Sequence, residues 1–116
     1  MGMIQELTEL GMNYEEAMTR FMGNESLYES LVPRIVEEIE NNPVLCHMEK
    51  QDWDTALKNA HMLKGATGNL SITPLYEGYA KVVSLIREER MEESQERLVA
   101  LLPVQKEIVD CIKKYQ

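Results

Sequence analysis

The chain has 116 residues, 44% hydrophobic and 28% charged, with a net charge of −8 at pH 7. That fits one globular domain spanning 1–116, in which every helix has to contribute to a single core. The acid excess excludes nucleic acid and an anionic membrane surface as partners, because phosphate binding needs concentrated Lys and Arg.

Alternating polarity and dense Val, Ile, Thr and Tyr runs are missing, while helical periodicity runs almost throughout. Ile4, Leu7 and Leu10 predict a short first helix stopped at Gly11. Asn13 followed by Glu16 forms a capping-box pattern, with Met12 and Ala17 as its apolar staple, and that helix ends near Gly23. Asn24 then caps a longer helix with core positions Leu27, Tyr28, Leu31, Val32, Ile35 and Ile39. Asn41-Asn42-Pro43 interrupts or kinks it, and Val44, Leu45 and Met48 continue the apolar face.

Asp52 is the expected N-cap of a helix running to about Asn69. Thr73, with Pro74 at the first helical position, opens the next, whose stripe is Leu75, Tyr79, Val82, Val83 and Ile86. A last helix begins near Met91 and uses Leu98, Leu101, Leu102, Ile108, Val109 and Ile112, with Pro103 expected to kink or split it. Short loops make neighbouring helices antiparallel. The expected architecture is therefore an all-α, up-down four-helix bundle, its short N-terminal helices capping one end.

The segment Asn59 to Leu70 is the most informative. At about 100° per residue, Leu57, Lys58, Lys64, Gly65 and Gly68 fall within about 60° of His61 on a helical wheel. Ala56, Ala60, Leu63, Thr67 and Leu70 form the opposite, core-facing stripe, so His61 is expected to face solvent. Glycine inside a helix costs roughly 0.5–1 kcal/mol relative to alanine. Two glycines beside one exposed imidazole imply that something large approaches His61 closely.

The string Ala60-His61-x-Leu63-Lys64-Gly65, followed by Gly68-Asn69-Leu70, resembles the signature of histidine-containing phosphotransfer domains of two-component phosphorelays. Phe21-Met22-Gly23-Asn24 and Asp52-Trp53 extend the resemblance outward. It implies a four-helix bundle whose exposed histidine takes a phosphoryl group from a receiver domain's aspartyl phosphate and passes it to another receiver. It implies further that His61 accepts through the ring nitrogen farther from the backbone, with Lys64 the nearby cation and Gly65 the clearance position. Many members carry another glycine after the Asn-Leu pair, where this chain has Ser71.

The residues favour the same chemistry. An imidazole, with an ordinary pKa of about 6.5, is a nucleophile near neutral pH. Lys58 and Lys64 flank His61, and their charge disfavours an imidazolium and favours a dianionic phosphoryl group. Lys58, Gly65 and Gly68 are assigned to partner docking; Leu57, about 40° from His61, edges either the docking patch or the core. No catalytic base, metal cluster or nucleotide loop accompanies His61, and Gly65 and Gly68 lie in helical register with no phosphate-cradling loop.

The expectation is a phosphoryl carrier, not an enzyme: a monomer with no cofactor of its own, the magnesium lying on the receiver domains of partner response regulators and hybrid kinases. An alternative is a module that docks a receiver without transfer, and a further one is a haem or metal bundle. His47 and Cys46 face different ways, and Met12, Met18, Met22 and Met48 are read as core filling. Trp53 and Tyr76 are read as packing residues, and Cys46 and Cys111 as reduced and buried. No apolar run approaches the ~20 residues of a membrane span and no signal peptide is read, so a cytoplasmic location is expected.

Overall fold

Residues 2–116 are described by the computed structural model, and they form eight α-helices with no strand among them. In chain order these are α1 (Met3–Glu9), α2 (Tyr14–Arg20), α3 (Glu25–Leu31) and α4 (Arg34–Asn41), then α5 (Val44–Glu49), α6 (Trp53–Asn69), α7 (Thr73–Arg87) and α8 (Met91–Lys114). Three starts follow the expected chemistry. The side chains of Asn13, Asn24 and Asp52 accept hydrogen bonds from the backbone N–H of Glu16, Leu27 and Thr55, at 3.0, 3.0 and 3.2 Å. Met12 and Ala17, the expected staple, are both buried.

Five of the eight helix ends share one device. After α1, α2, α5, α6 and α7, the residue two past the last helical one has a positive φ, at Gly11, Met22, Gln51, Ser71 and Glu89. The following N–H then returns to a carbonyl of the helix, as in Ile72 to Thr67 at 3.0 Å and Gly23 to Met18 at 2.8 Å. This is the Schellman closure, in which the reversed backbone satisfies otherwise orphaned carbonyls. It turns the chain within a few residues, and Asp52, Ile72 and Arg90 already serve as N-caps of the next helices.

Several expectations are corrected. The helix after Asn24 does not run to Ile39; it breaks between Leu31 and Arg34. Pro33 is the breaker, because it has no N–H to continue the ladder. Leu27 is 43% exposed and lies outside the core, and Met22 is 93% exposed because it occupies the left-handed turn position. Thr73 is itself the first residue of α7 and Ile72 its cap, which moves Pro74 to the second position. Pro103 does not split α8. It lies on the exposed side with Val99, four residues back, so the carbonyl that loses its partner faces water. Cys46 is exposed, Cys111 is buried, and the two are not bonded.

The core is a single cluster drawing on every helix from α1 to α8. α6 packs against α7, α5 and α4, α7 packs against α8, and α1 rests on α8 and α3. Ala56, Ala60, Leu63 and Thr67 are the buried residues of α6, as the stripe predicted.

Tyr28 fixes α3 to the end of this helix. Its side chain is fully buried, its ring meets Phe21 edge-on at 5.3 Å, and its hydroxyl donates to the Leu70 carbonyl at 2.7 Å. Burial pushes its phenol well above the ordinary range, so it stays a donor. Tyr28→Phe keeps the packing and strands that carbonyl. The expected cost is about 1–2 kcal/mol, read as a lower midpoint in urea with an unchanged slope.

Candidate functional site

His61 sits at mid-length in α6, exposed on the side opposite the buried stripe. Along one flank runs an open cleft of about 590 Å³. α6 supplies His61, Lys64, Gly65 and Gly68 to its wall, and α7 supplies Tyr76 and Glu77. The other wall is the short helix α2 with its cap, contributing Asn13, Glu16 and Arg20.

Two tertiary bonds seat α2 there. The Asn13 N–H donates to the Ser71 carbonyl at 2.9 Å, and the Ser71 hydroxyl donates to Glu16 Oε1, also at 2.9 Å. The capping box is therefore not reciprocal: Asn13 caps the helix, but its own N–H and the Glu16 carboxylate turn to Ser71. Ser71 holds φ +55°, a left-handed conformation costing an L-residue about 1 kcal/mol that glycine would not incur. Its side chain is buried, and the bond to Glu16 gives the serine a use that glycine lacks.

The predicted site residues do not all line the cleft. Lys64, Gly65 and Gly68 line the cleft with His61, while Lys58 and Leu57 lie outside it. Lys58 is exposed, and its charge reaches the start of the helix. There the Asp52 carboxyl is held below the usual carboxylate range, chiefly by hydrogen bonds from Thr55 and then by the charges of His47 and Lys58. Leu57 is half-buried and packs against the core.

The glycines divide as well. A Cβ on Gly65 would meet nothing within 4 Å, so this position is a true opening beside the imidazole. A Cβ on Gly68 would come within 2.8 Å of Tyr76 Cδ1, so Gly68 makes room for an aromatic ring and not for open approach. Tyr76, expected to pack in the core, is 40% exposed and edges the cleft over Gly68.

The charge of the cleft is mixed. Lys64 and Arg20 bring positive charge, Glu16 and Glu77 negative, so the lysine charge expected beside His61 is opposed by carboxylates. Arg20 is the residue that sequence reasoning missed. Its only local signal is a position four after Glu16, and the fold alone brings it to the cleft that Lys64 lines. Among the described residues no group of three or more His, Cys, Asp or Glu is placed to hold a metal ion, and no helix is long and apolar enough to cross a membrane. In comparisons with protein-family models, curated proteins and solved structures, the chain finds no match.

Proposed function

We propose that the chain is a histidine-containing phosphotransfer domain that carries a phosphoryl group on His61 between receiver domains. The observation that carries this reading is the exposed imidazole beside Lys64 and the open Gly65 position, on a helix whose opposite face is fully committed to the core. In this reading α4 with α5, α6, α7 and α8 form the four up-down helices of the bundle, and α1 to α3 cover one end. The packing of α6 on α5 and α7, and of α8 on α7 and α5, supports it. So does Ser71, which keeps the left-handed turn that a glycine would favour.

The chemistry asks little of this chain. The distal imidazole nitrogen attacks phosphorus, the N–P bond forms as the acyl phosphate O–P bond breaks, and the receiver's aspartate leaves as a carboxylate with the electron pair. A neutral ring supplies that lone pair without a separate base, and the other ring nitrogen then releases its proton to water, leaving the phosphorylated ring neutral. Lys64 lies one helical turn from His61, about 5–6 Å between Cβ atoms, where its ammonium meets the transferring oxygens. The receiver brings magnesium and its own catalytic groups.

The test is incubation with a phosphorylated receiver domain. The carrier reading requires an acid-labile, base-stable phosphate on this chain; a docked complex without that label would instead favour the receiver-binding module. Lys64→Ala is expected to slow transfer about tenfold, the worth of one hydrogen bond to a charged group, while leaving the melting temperature nearly unchanged. A large fall in stability with normal transfer would assign Lys64 to packing.

A further inference from the structure

We propose that Arg20 is the second phosphoryl-binding cation of the site, held in reserve by Glu16 and turned onto the phosphoryl group once His61 carries it. The inference rests on the carrier reading and adds a residue and a regulation to the same cleft. Arg20 and His61 both line that cleft, Arg20 from α2 and His61 from α6. The Arg20 guanidinium lies 3.7 Å from Glu16 Oε1, a long contact between two half-exposed side chains. The same oxygen accepts the Ser71 hydroxyl at the shorter distance of 2.9 Å, so Glu16 is fixed by Ser71 and not by Arg20. No other carboxylate lies within ion-pair range of Arg20 among the described residues.

A phosphoryl group changes that balance. It places about two negative charges and three acceptor oxygens in the cleft, and the planar guanidinium meets phosphate oxygens in a bidentate fork. Against a single long carboxylate contact, the phosphoryl group is the better partner. Glu16 stays behind on Ser71, so the exchange moves one side chain and leaves the backbone in place. Bound there, Arg20 would neutralise the phosphoryl oxygens and oppose protonation of the phosphorylated ring. Loss of phosphate to water requires that protonation, because the imidazole departs as a neutral ring. Arg20 therefore prolongs the phosphorylated state, and Glu16 limits how far.

The experiment labels His61 chemically, with phosphoramidate as donor. The ring nitrogen bonds phosphorus as the donor's P–N bond breaks and ammonia leaves, so no receiver is needed. Decay of the label is followed by phosphorus NMR in the wild type, Arg20→Gln, Arg20→Lys and Glu16→Gln. Arg20→Gln is expected to shorten the phosphohistidine half-life about two- to fivefold, the range a screened, half-exposed charge contact supports. Arg20→Lys should recover part of it. Glu16→Gln keeps an oxygen for Ser71 but drops the charge, and should lengthen the half-life.

Equal half-lives for the wild type and Arg20→Gln would overturn the proposal, as would a shorter half-life in Glu16→Gln or a wild type that takes no label at His61. Melting curves of all four proteins should coincide within a few degrees, which separates charge from folding. Failure of the carrier reading registers elsewhere, as a chain that phosphoramidate labels normally but a phosphorylated receiver does not.

Discussion

His61→Gln is expected to melt with the wild type and to accept no phosphoryl group from a receiver domain. The first half follows from position, the second from the proposed carrier role. The imidazole is exposed, on the face of α6 opposite Ala56, Ala60, Leu63 and Thr67, so replacing it disturbs no core contact. Surface changes of this kind stay within about 0.5 kcal/mol. Glutamine keeps a polar group of similar length but has no nucleophilic ring nitrogen, so transfer should fall to background and not merely slow. The internal control is His47. It is half-buried in α5 with Nδ1 3.8 Å from Asp52 Oδ2, and it does not line the cleft beside Lys64 and Gly65. Phosphate mapped to His47, or a mutant that labels as well as the wild type, would remove His61 from the mechanism.

What the sequence makes legible is what local chemistry decides. Asn13, Asn24 and Asp52 cap their helices because the bond runs only three residues along the chain, whatever the rest of the fold does. The exposure of His61 follows from helical periodicity alone, because the buried stripe of α6 fixes the opposite face. The turns are harder to read. Met22, Gln51, Ser71 and Glu89 adopt positive φ without being glycine, so the usual signal for a helix end is missing at four of these five turns. Pro33 is a legible signal masked by its surroundings, because the apolar spacing through Tyr28, Val32 and Ile35 continues across the break. Arg20 cannot be placed from periodicity. Its position depends on the bonds from Asn13 to Ser71 and from Ser71 to Glu16, which join segments far apart in the chain.

Gly65 gives the second large effect, and one in which stability and function separate. The position is helical and open, with no atom within 4 Å of where a methyl group would stand, so alanine fits without displacing a neighbour. Gly65→Ala should therefore stabilise the isolated domain by roughly 0.5–1 kcal/mol, because alanine has less backbone freedom to lose on folding. Gly65→Gln should also fold, since its side chain extends into the cleft and not into the core. Transfer should move the other way. If His61 is the carrier, a receiver has to bring its aspartyl phosphate within bonding distance of the ring, and a side chain one turn away would occupy space beside it. The glutamine variant is expected to lose on the order of a hundredfold in transfer rate, a common cost when reacting groups are held about 1 Å out of place. Gly68 sharpens the comparison. A methyl there would press on the Tyr76 ring at 2.8 Å, so Gly68→Ala should displace that ring and should not give the stability gain. Receiver titrations of the three variants, run beside their melting curves, separate partner clearance from helix packing. Wild-type transfer by Gly65→Gln would mean that the opening beside His61 is not where the partner enters.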